Sequence, residues 1–459
     1  MKRHFITIIC LLLVGLSEEV EHVAFVIVSQ NNDYNDALAK ELERNLEAQS
    51  QEMQIDKPEI YISNKVFDAS ADWIIAPIIA QILDKIDKNC RWIVFLEDRT
   101  TVSLKLLLDA LNKWDFNNET WIGHASYDSD ATIIHHFAFH GDPKFFKYPN
   151  LASGMALSIP LLKRLRHRLE KGYKQPDFFI DPAHEFSLFV YEDGRGLMIQ
   201  HEPLFCSKEE PNCATYPHKF QSCEMQDYNG ISSIFFAIKT CQKFHDERLR
   251  VVQKTWLEYT VNTAIFSDVT DSGIPTLSLD VPNTEQGHCQ KTMAILQYAL
   301  KIFDNNRKLR WLVLVDDDTI LSVSGILNLT NCYQNATRSL ILGERYRFGV
   351  HGFNYPTGGA GIVINRQALE ILAKACQCMR PDSPDDMVIG ACALEHGLTL
   401  VHIPQLHQAR PDDYAPGRLA VKDAISFHKH WMIDPIKTYK QWFLANDERM
   451  FKPSLKTEL

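Results

Sequence analysis

The stretch Trp311-Leu312-Val313-Leu314-Val315-Asp316-Asp317-Asp318-Thr319-Ile320 constrains the fold more than any other. Five apolar residues in a row, aromatic or β-branched among them, predict a strand buried on both faces, as in a mostly parallel sheet. Three carboxylates follow without a break, and unpaired charges cannot stay in a core. They must emerge at the carboxyl end of the strand, where open α/β sheets form their ligand crevices. Adjacent carboxylates repel one another and call for a cation, and hard oxygen ligands suit Mg²⁺ or Mn²⁺. A metal held there can bridge a diphosphate, which points to a nucleotide-linked substrate. The same residues also fit an acidic helix N-terminus, with Asp318 capping a segment from Thr319 onward.

A chain of 459 residues has room for two or three domains with cores of their own. Its net charge of −10 argues against a nucleic-acid binder, which would carry a basic patch. Residues 1–17 read as a signal peptide, with Lys2, Arg3 and His4 ahead of an apolar run from Phe5 to Leu16. An uncleaved anchor is the alternative; no later stretch approaches ~20 apolar residues, so no stable membrane span is expected. Beyond that segment ten of the eleven cysteines remain, an even number that suits disulfides in an oxidising compartment. Sequons at Asn118, Asn328 and Asn335 fit the same route. The ending Lys456-Thr457-Glu458-Leu459 is close to the Lys-Asp-Glu-Leu signal read by a retention receptor. Together these features predict a soluble protein of the endoplasmic reticulum lumen.

Taken in order, residues 22–29 predict a buried strand, residues 34–48 a helix with Leu38, Leu42 and Leu46 spaced by four, and Ile74 to Ile86 a second helix. Arg91 to Arg99 then has the shape of Arg310 to Asp318, a strand with an acidic exit, but Arg99 replaces the third carboxylate. An internal cation can neutralise Glu97 and Asp98 and make a metal unnecessary there. The parallel continues. Tyr148-Pro149 with Ser153-Gly154 echoes Tyr355-Pro356 with Ala360-Gly361, Asp181 stands roughly where Asp386 does, and Gly196-Leu197 before His201 matches Gly397-Leu398 before His402. The expected organisation is two copies of one α/β domain, 18–202 and 231–455, the first without its metal site. Residues 203–230, with Cys206, Cys213 and Cys223, read as a disulfide-tied connector whose pairing stays open.

In the second copy, an apolar strand from Ile231 to Ile238 feeds the basic, hydroxyl-bearing stretch Lys239 to Arg248, which suits phosphate binding. A helix over roughly 246–258 carries Leu249, Val252 and Trp256 on one face. Ala264 to Asp268 is a short strand ending in an acid, well placed for a ribose or base. A helix from about Lys291 to Phe303 precedes the central strand. Glycines at 358, 359 and 361 allow a tight turn or close backbone approach to a ligand. In Pro384-Asp385-Asp386-Met387 one acid can cap a helix, or one can face the crevice and take a proton from a sugar hydroxyl. His428 and His430 alternate on one side of a strand, and one of them can complete a Mn²⁺ site.

The ordered set Ile234 to Thr240, Phe244-His245, Thr255-Trp256, Val315 to Asp318, Thr357 to Gly361, Pro384 to Asp386 and Phe427-His428 resembles the Fringe-like β1,3-glycosyltransferases over roughly 231–440. Leu342 to Tyr346, His407 to Pro411, Ser426 to Trp431 and Asp434-Pro435 carry a narrower resemblance, as do the duplicated N-terminal domain and the tail. That narrower match is to the branch transferring glucose to O-linked fucose on thrombospondin type 1 repeats. The resemblance implies two tandem GT-A-like (Rossmann-like) domains, the N-terminal one non-catalytic. It also implies inverting transfer from UDP-glucose with Mn²⁺. Asp316 to Asp318 would hold metal and donor, Asp318 most directly, with His428 as the further ligand. Asp386 would be the base, with Asp385 the second choice, and Thr240, Asp268 and Lys291 correspond by position to donor-site residues. A Fringe-type N-acetylglucosaminyl- or galactosyltransferase is the alternative enzyme. A lectin-like binding protein of the endoplasmic reticulum is the alternative outside enzymes.

Overall fold

In a computed structural model, residues 23–68, 75–173, 176–223, 230–349 and 352–452 are described. The expected signal peptide and the 456–459 tail lie outside them. The chain divides into two units, one made of residues up to 175 with 181–219 and 414–421, the other of 176–180, 220–413 and 422–459.

Unit one follows the hydrophobic periodicity closely. Strand β1 (Val23–Val28) leads into α1 (Asp33–Glu52), whose N-cap Asn32 accepts a hydrogen bond from the Asn35 amide. Next come β2 (Glu59–Ile62), α2 (Ile75–Ile82), β3 (Trp92–Glu97), β4 (Trp121–Gly123), β5 (Met155–Ser158), α3 (Ile159–Glu170), α4 (Pro182–Tyr191) and β6 (Gln200–His201). The sheet order is β6-β4-β5-β3-β1-β2. Pairs β1–β2, β1–β3 and β4–β6 are parallel, while β5 runs against both β3 and β4.

Unit two contains β7 (Ile234–Lys239), α5 (Arg248–Lys254), β8 (Asn262–Ser267), β9 (Thr276–Ser278), α6 (Cys289–Asn305), β10 (Trp311–Asp316), β11 (Thr319–Leu321), α7 (Val323–Cys332), β12 (Leu340–Gly343), β13 (Ile362–Asn365), α8 (Arg366–Ala375), α9 (Asp385–Glu395), β14 (Thr399–His402) and β15 (Ser426–His428). Its main sheet runs β9-β8-β7-β10-β13-β12-β14. It is parallel from β9 to β10, antiparallel at β10–β13 and β13–β12, and parallel at β12–β14. Six consecutive strands thus repeat the order and direction of unit one. Both units are mixed α/β.

The central strand β10 is buried as its apolar run predicts, packed with α6 and α8 residues such as Leu296, Phe303, Leu369 and Leu372. Each fully buried side chain of this size contributes about 1.5–3 kcal/mol. Two local expectations change. Residues 231–233 form a 3₁₀ turn rather than the start of β7. The helix expected over 246–258 stops at Lys254, where Thr255 leaves helical geometry with its hydroxyl on the Val251 carbonyl, and a 3₁₀ turn covers 257–259.

Among the described residues, four disulfides join Cys206–Cys213, Cys223–Cys332, Cys289–Cys378 and Cys376–Cys392, leaving Cys90 and Cys241 as thiols. Cys223 is bonded to the last residue of α7, within the second unit. Among the described residues no helix is long and apolar enough to cross a membrane.

Candidate functional site

The three aspartates do not begin a helix. Thr319–Leu321 is a strand paired antiparallel with β15, and α7 starts only at Val323, where Ser322 accepts from the Gly325 amide. The capping alternative for Asp318 is therefore corrected: the carboxylates occupy the turn between β10 and β11. The ladder register sets Lys239, the last residue of β7, opposite Asp316, the last of β10.

Two cations serve the three carboxylates, Lys239 at Asp316 and Arg248 shared by Asp317 and Asp318. Asp316 lies 3.2 Å from Lys239 Nζ. Asp317 accepts from the Thr240 hydroxyl at 2.6 Å and from Arg248 Nη1 at 2.9 Å. Asp318 lies 3.0 Å from Arg248 Nη1 and 3.1 Å from His428 Nε2. Burial pushes Asp317 up to about 6. Burial works the same way on Asp318, but His428 and Arg248 outweigh it and hold that carboxyl at about 2. Lys291 is buried, donating to the Thr240 carbonyl and to Asn283 Oδ1 at 2.8 Å each. These groups line a cleft of about 590 Å³ together with Cys241, Phe244, Asn283 and His288.

One ligand atom each from Asp316, Asp318 and His428 lies within 4.8 Å of the others. His428 Nδ1 is 3.0 Å from the Gln408 carbonyl, which can only accept, so Nδ1 carries the proton. In the neutral ring this leaves Nε2 as the nitrogen able to bind a metal beside the Asp318 carboxylate, and an Asp-Asp-His set suits Mn²⁺. The residues fit the metal.

Gly359 makes this arrangement possible, since a Cβ there would come within 2.3 Å of the His428 ring. Its neighbour Gly358 points its amide at Asp386 Oδ2, 3.4 Å away. The glycine turn thus has the histidine on one side and an acid on the other. Asp386 sits in the first turn of α9; the N-cap is Pro384, without a side-chain capping bond. Its other oxygen accepts from the Met387 amide at 2.7 Å. Burial, reinforced by the Asp385 charge, raises Asp386 to about 6. Asp385 is held down instead: burial opposes its charge, but Lys239 and the Thr292 hydroxyl both bond its Oδ2.

Asp268 is set apart. It accepts from the Gln242 amide at 2.8 Å and the Ser267 hydroxyl at 3.0 Å, bracing the 240–244 loop from behind rather than lining the cleft. Buried His245 supports that corner, bridging Asp271 (3.1 Å) and Ser267 (2.8 Å). The sequence places Lys239 and Arg248 only within a basic stretch suited to phosphate, without singling either out, and it gives His288 no role. Lys239 could have been singled out as a charge ending a strand buried along its whole length. Arg248 had no comparable signal, because it meets the aspartates only through folding.

In unit one the corresponding acids are tied inward. Asp98 accepts from Ser29 at 2.9 Å and Asn35 at 2.8 Å. Asp181 caps α4 through the Ala183 amide at 2.8 Å and faces His135, which also contacts Asp128 at 2.7 Å.

A family model described as Fringe-like matches residues 50–185 and 229–450. A mouse (Mus musculus) beta-1,3-glucosyltransferase is 39% identical over 435 residues, covering 94% of this chain and 88% of the relative. A human (Homo sapiens) beta-1,3-glucosyltransferase is 38% identical over 94% of this chain and 86% of its own length. A zebrafish (Danio rerio) beta-1,3-N-acetylglucosaminyltransferase, manic fringe, is 27% identical over 39% of this chain and 56% of the relative. The relatives share one chemistry, and the matched residues span the cleft and both acids of α9: this chain belongs to the Fringe-like family of β-1,3-glycosyltransferases.

Proposed function

We propose that unit two transfers glucose from UDP-glucose, with inversion and in β1,3 linkage, to O-linked fucose on thrombospondin type 1 repeats. The observation that carries this reading is the turn at Gly358–Gly359, with the His428–Asp318 pair on one side and Asp386 on the other. The names of the full-length relatives support glucose as the sugar. Asp316, Asp318 and His428 would hold Mn²⁺, which neutralises charge on the departing diphosphate. Thr240, Lys291 and Arg248 line the same cleft and offer a hydroxyl and two cations to the donor. Asp317 orients Thr240 and Arg248 through its two hydrogen bonds. The Gly358–Gly359 turn supplies backbone between the His428 ring and Asp386.

In the reaction the fucose 3-hydroxyl oxygen attacks C1 of glucose from the face opposite UDP. The C1–oxygen bond to UDP breaks and its electron pair leaves with the diphosphate. Asp386 takes the hydroxyl proton. Asp385 keeps its charge against Lys239 and fixes the start of α9.

Unit one is read as a second, non-catalytic copy, because its sheet repeats the order of unit two while Asp98 and Asp181 are consumed by internal hydrogen bonds. Four disulfides support residence in an oxidising lumen, that of the endoplasmic reticulum. The deciding experiment measures UDP release from UDP-glucose, UDP-galactose and UDP-N-acetylglucosamine with a fucosylated thrombospondin repeat. Turnover with UDP-glucose is expected; preference for either other donor would move the assignment to a Fringe-type enzyme.

A further inference from the structure

Trp431 follows His428 by three residues and is 68% exposed, whereas every other tryptophan among the described residues is buried or half-buried. Its indole N–H has no protein acceptor among the described residues. A large apolar ring left in water invites a partner, yet this one is firmly held. The Arg410 guanidinium stands 5.1 Å from the ring centroid and donates to the Trp431 carbonyl at 3.3 Å. Arg410 is in turn fixed by Asp413 through Nε at 2.9 Å and Nη2 at 2.7 Å.

The backbone here is bent in a way side-chain-bearing residues seldom adopt. Lys429 has φ +76° and Met432 φ +60°, both left-handed. Such geometry persists where surrounding contacts enforce it, commonly at functional sites. Here the Lys429 amide donates to the Asp318 carbonyl at 3.1 Å, so the bend starts from the carboxylate turn itself. Met432, 72% exposed, follows the indole directly.

We propose that Trp431 and Met432, braced by Arg410, form a ledge that docks the polypeptide carrying the acceptor sugar. This rests on the acceptor being a glycoprotein, as proposed above. The ledge is continuous with the reaction centre: it leaves from His428, which packs on Gly359, next to the glycine that touches Asp386. Three residues of extended chain reach at most about 10 Å, which suits the protein surface around the sugar rather than the reacting hydroxyl. Tryptophan, methionine and arginine are also the side chains enriched where proteins meet.

The test uses the full chain with Trp431→Ala and Arg410→Gln. Turnover is measured on a folded fucosylated repeat and on a free aryl α-fucoside, with UDP–Mn²⁺ affinity and acceptor-free hydrolysis of UDP-glucose alongside. Trp431→Ala is expected to raise KM for the folded acceptor about tenfold, leaving kcat, the free fucoside and UDP affinity unchanged; Trp431→Phe recovers part of the loss. Arg410→Gln should act in the same direction, more weakly. Equal losses on both acceptors, or an unchanged KM for the folded one, overturn the ledge. If the wild type turns over neither acceptor, the functional assignment fails instead. Binding of the folded repeat to immobilised enzyme then decides the ledge by itself, since Trp431→Ala must still weaken it.

Discussion

Asp385 and Asp386 are neighbours in sequence but do not share an environment. The first is locked by Lys239 and Thr292 and kept ionised, while the second meets only two backbone amides and is raised to about 6. An acid already committed to a buried ammonium is a poor proton acceptor. One poised near neutrality with a free lone pair is a good one. Asp386→Asn is therefore expected to lower kcat by ~10²–10⁴-fold while UDP and Mn²⁺ affinities stay near normal. Steady-state kinetics with calorimetric titration of UDP check this. Near-normal turnover would move the base to Asp385.

The same environment fixes a pH dependence. The base works only when deprotonated, so kcat should fall as pH drops through about 6, the value to which burial and Asp385 raise Asp386. An acidic limb in the pH–rate profile that persists unchanged in Asp386→Asn would assign that ionisation elsewhere.

Metal affinity should respond to a residue that binds no metal. Gly359→Ala places a Cβ where the His428 ring lies, so the ring must move away from Asp318. Mn²⁺ titration is expected to show at least a tenfold loss, against complete loss in Asp318→Ala. Wild-type affinity in Gly359→Ala would remove His428 from the ligand set.

Unit one should carry an alkaline weakness. Burial disfavours the charged ring of His135, but Asp128 and Asp181 outweigh it and raise the group to about 9, above its unfolded value near 6.5. The stabilisation is thus complete below about 6.5 and disappears as pH rises through about 9. Thermal unfolding followed between those limits should show it, and His135→Gln should flatten the profile.

A purely structural counterpart lies at Asp447. This fully buried carboxylate accepts from the Ser322 and Ser324 hydroxyls, the Val323 and Ser324 amides and the Tyr439 hydroxyl, anchoring the start of α7. Asp447→Ala orphans these donors at once, for a cost on the order of 3 kcal/mol. Denaturant unfolding measures it, and an unaffected midpoint would mean water replaces the carboxylate.

Much of this was legible in the string of residues because the chemistry is local there. Asp316 to Asp318 announce themselves by following a buried strand, and the alternation of order between Arg91–Arg99 and Arg310–Asp318 prefigures two similar sheets. What was not legible depends on pairing across the fold. Nothing beside Asp318 says that Thr319 continues as a strand, because its partner β15 lies more than a hundred residues on. Lys239 and Arg248 acquire their importance only when β7 and α5 bring them to the carboxylates. The separation of Asp385 from Asp386 needs Lys239 and Thr292, which no spacing rule connects to them.

Neither unit is an unbroken length of polypeptide: residues 176–180 belong to the second, and residues 414–421 to the first. On a ribosome the first unit therefore remains incomplete until nearly the whole chain has emerged. A stop codon before residue 421 removes part of both units, and expressing either half by cutting at a single boundary discards a piece of it. Dissection of this protein calls for excising internal segments or co-expressing complementary fragments.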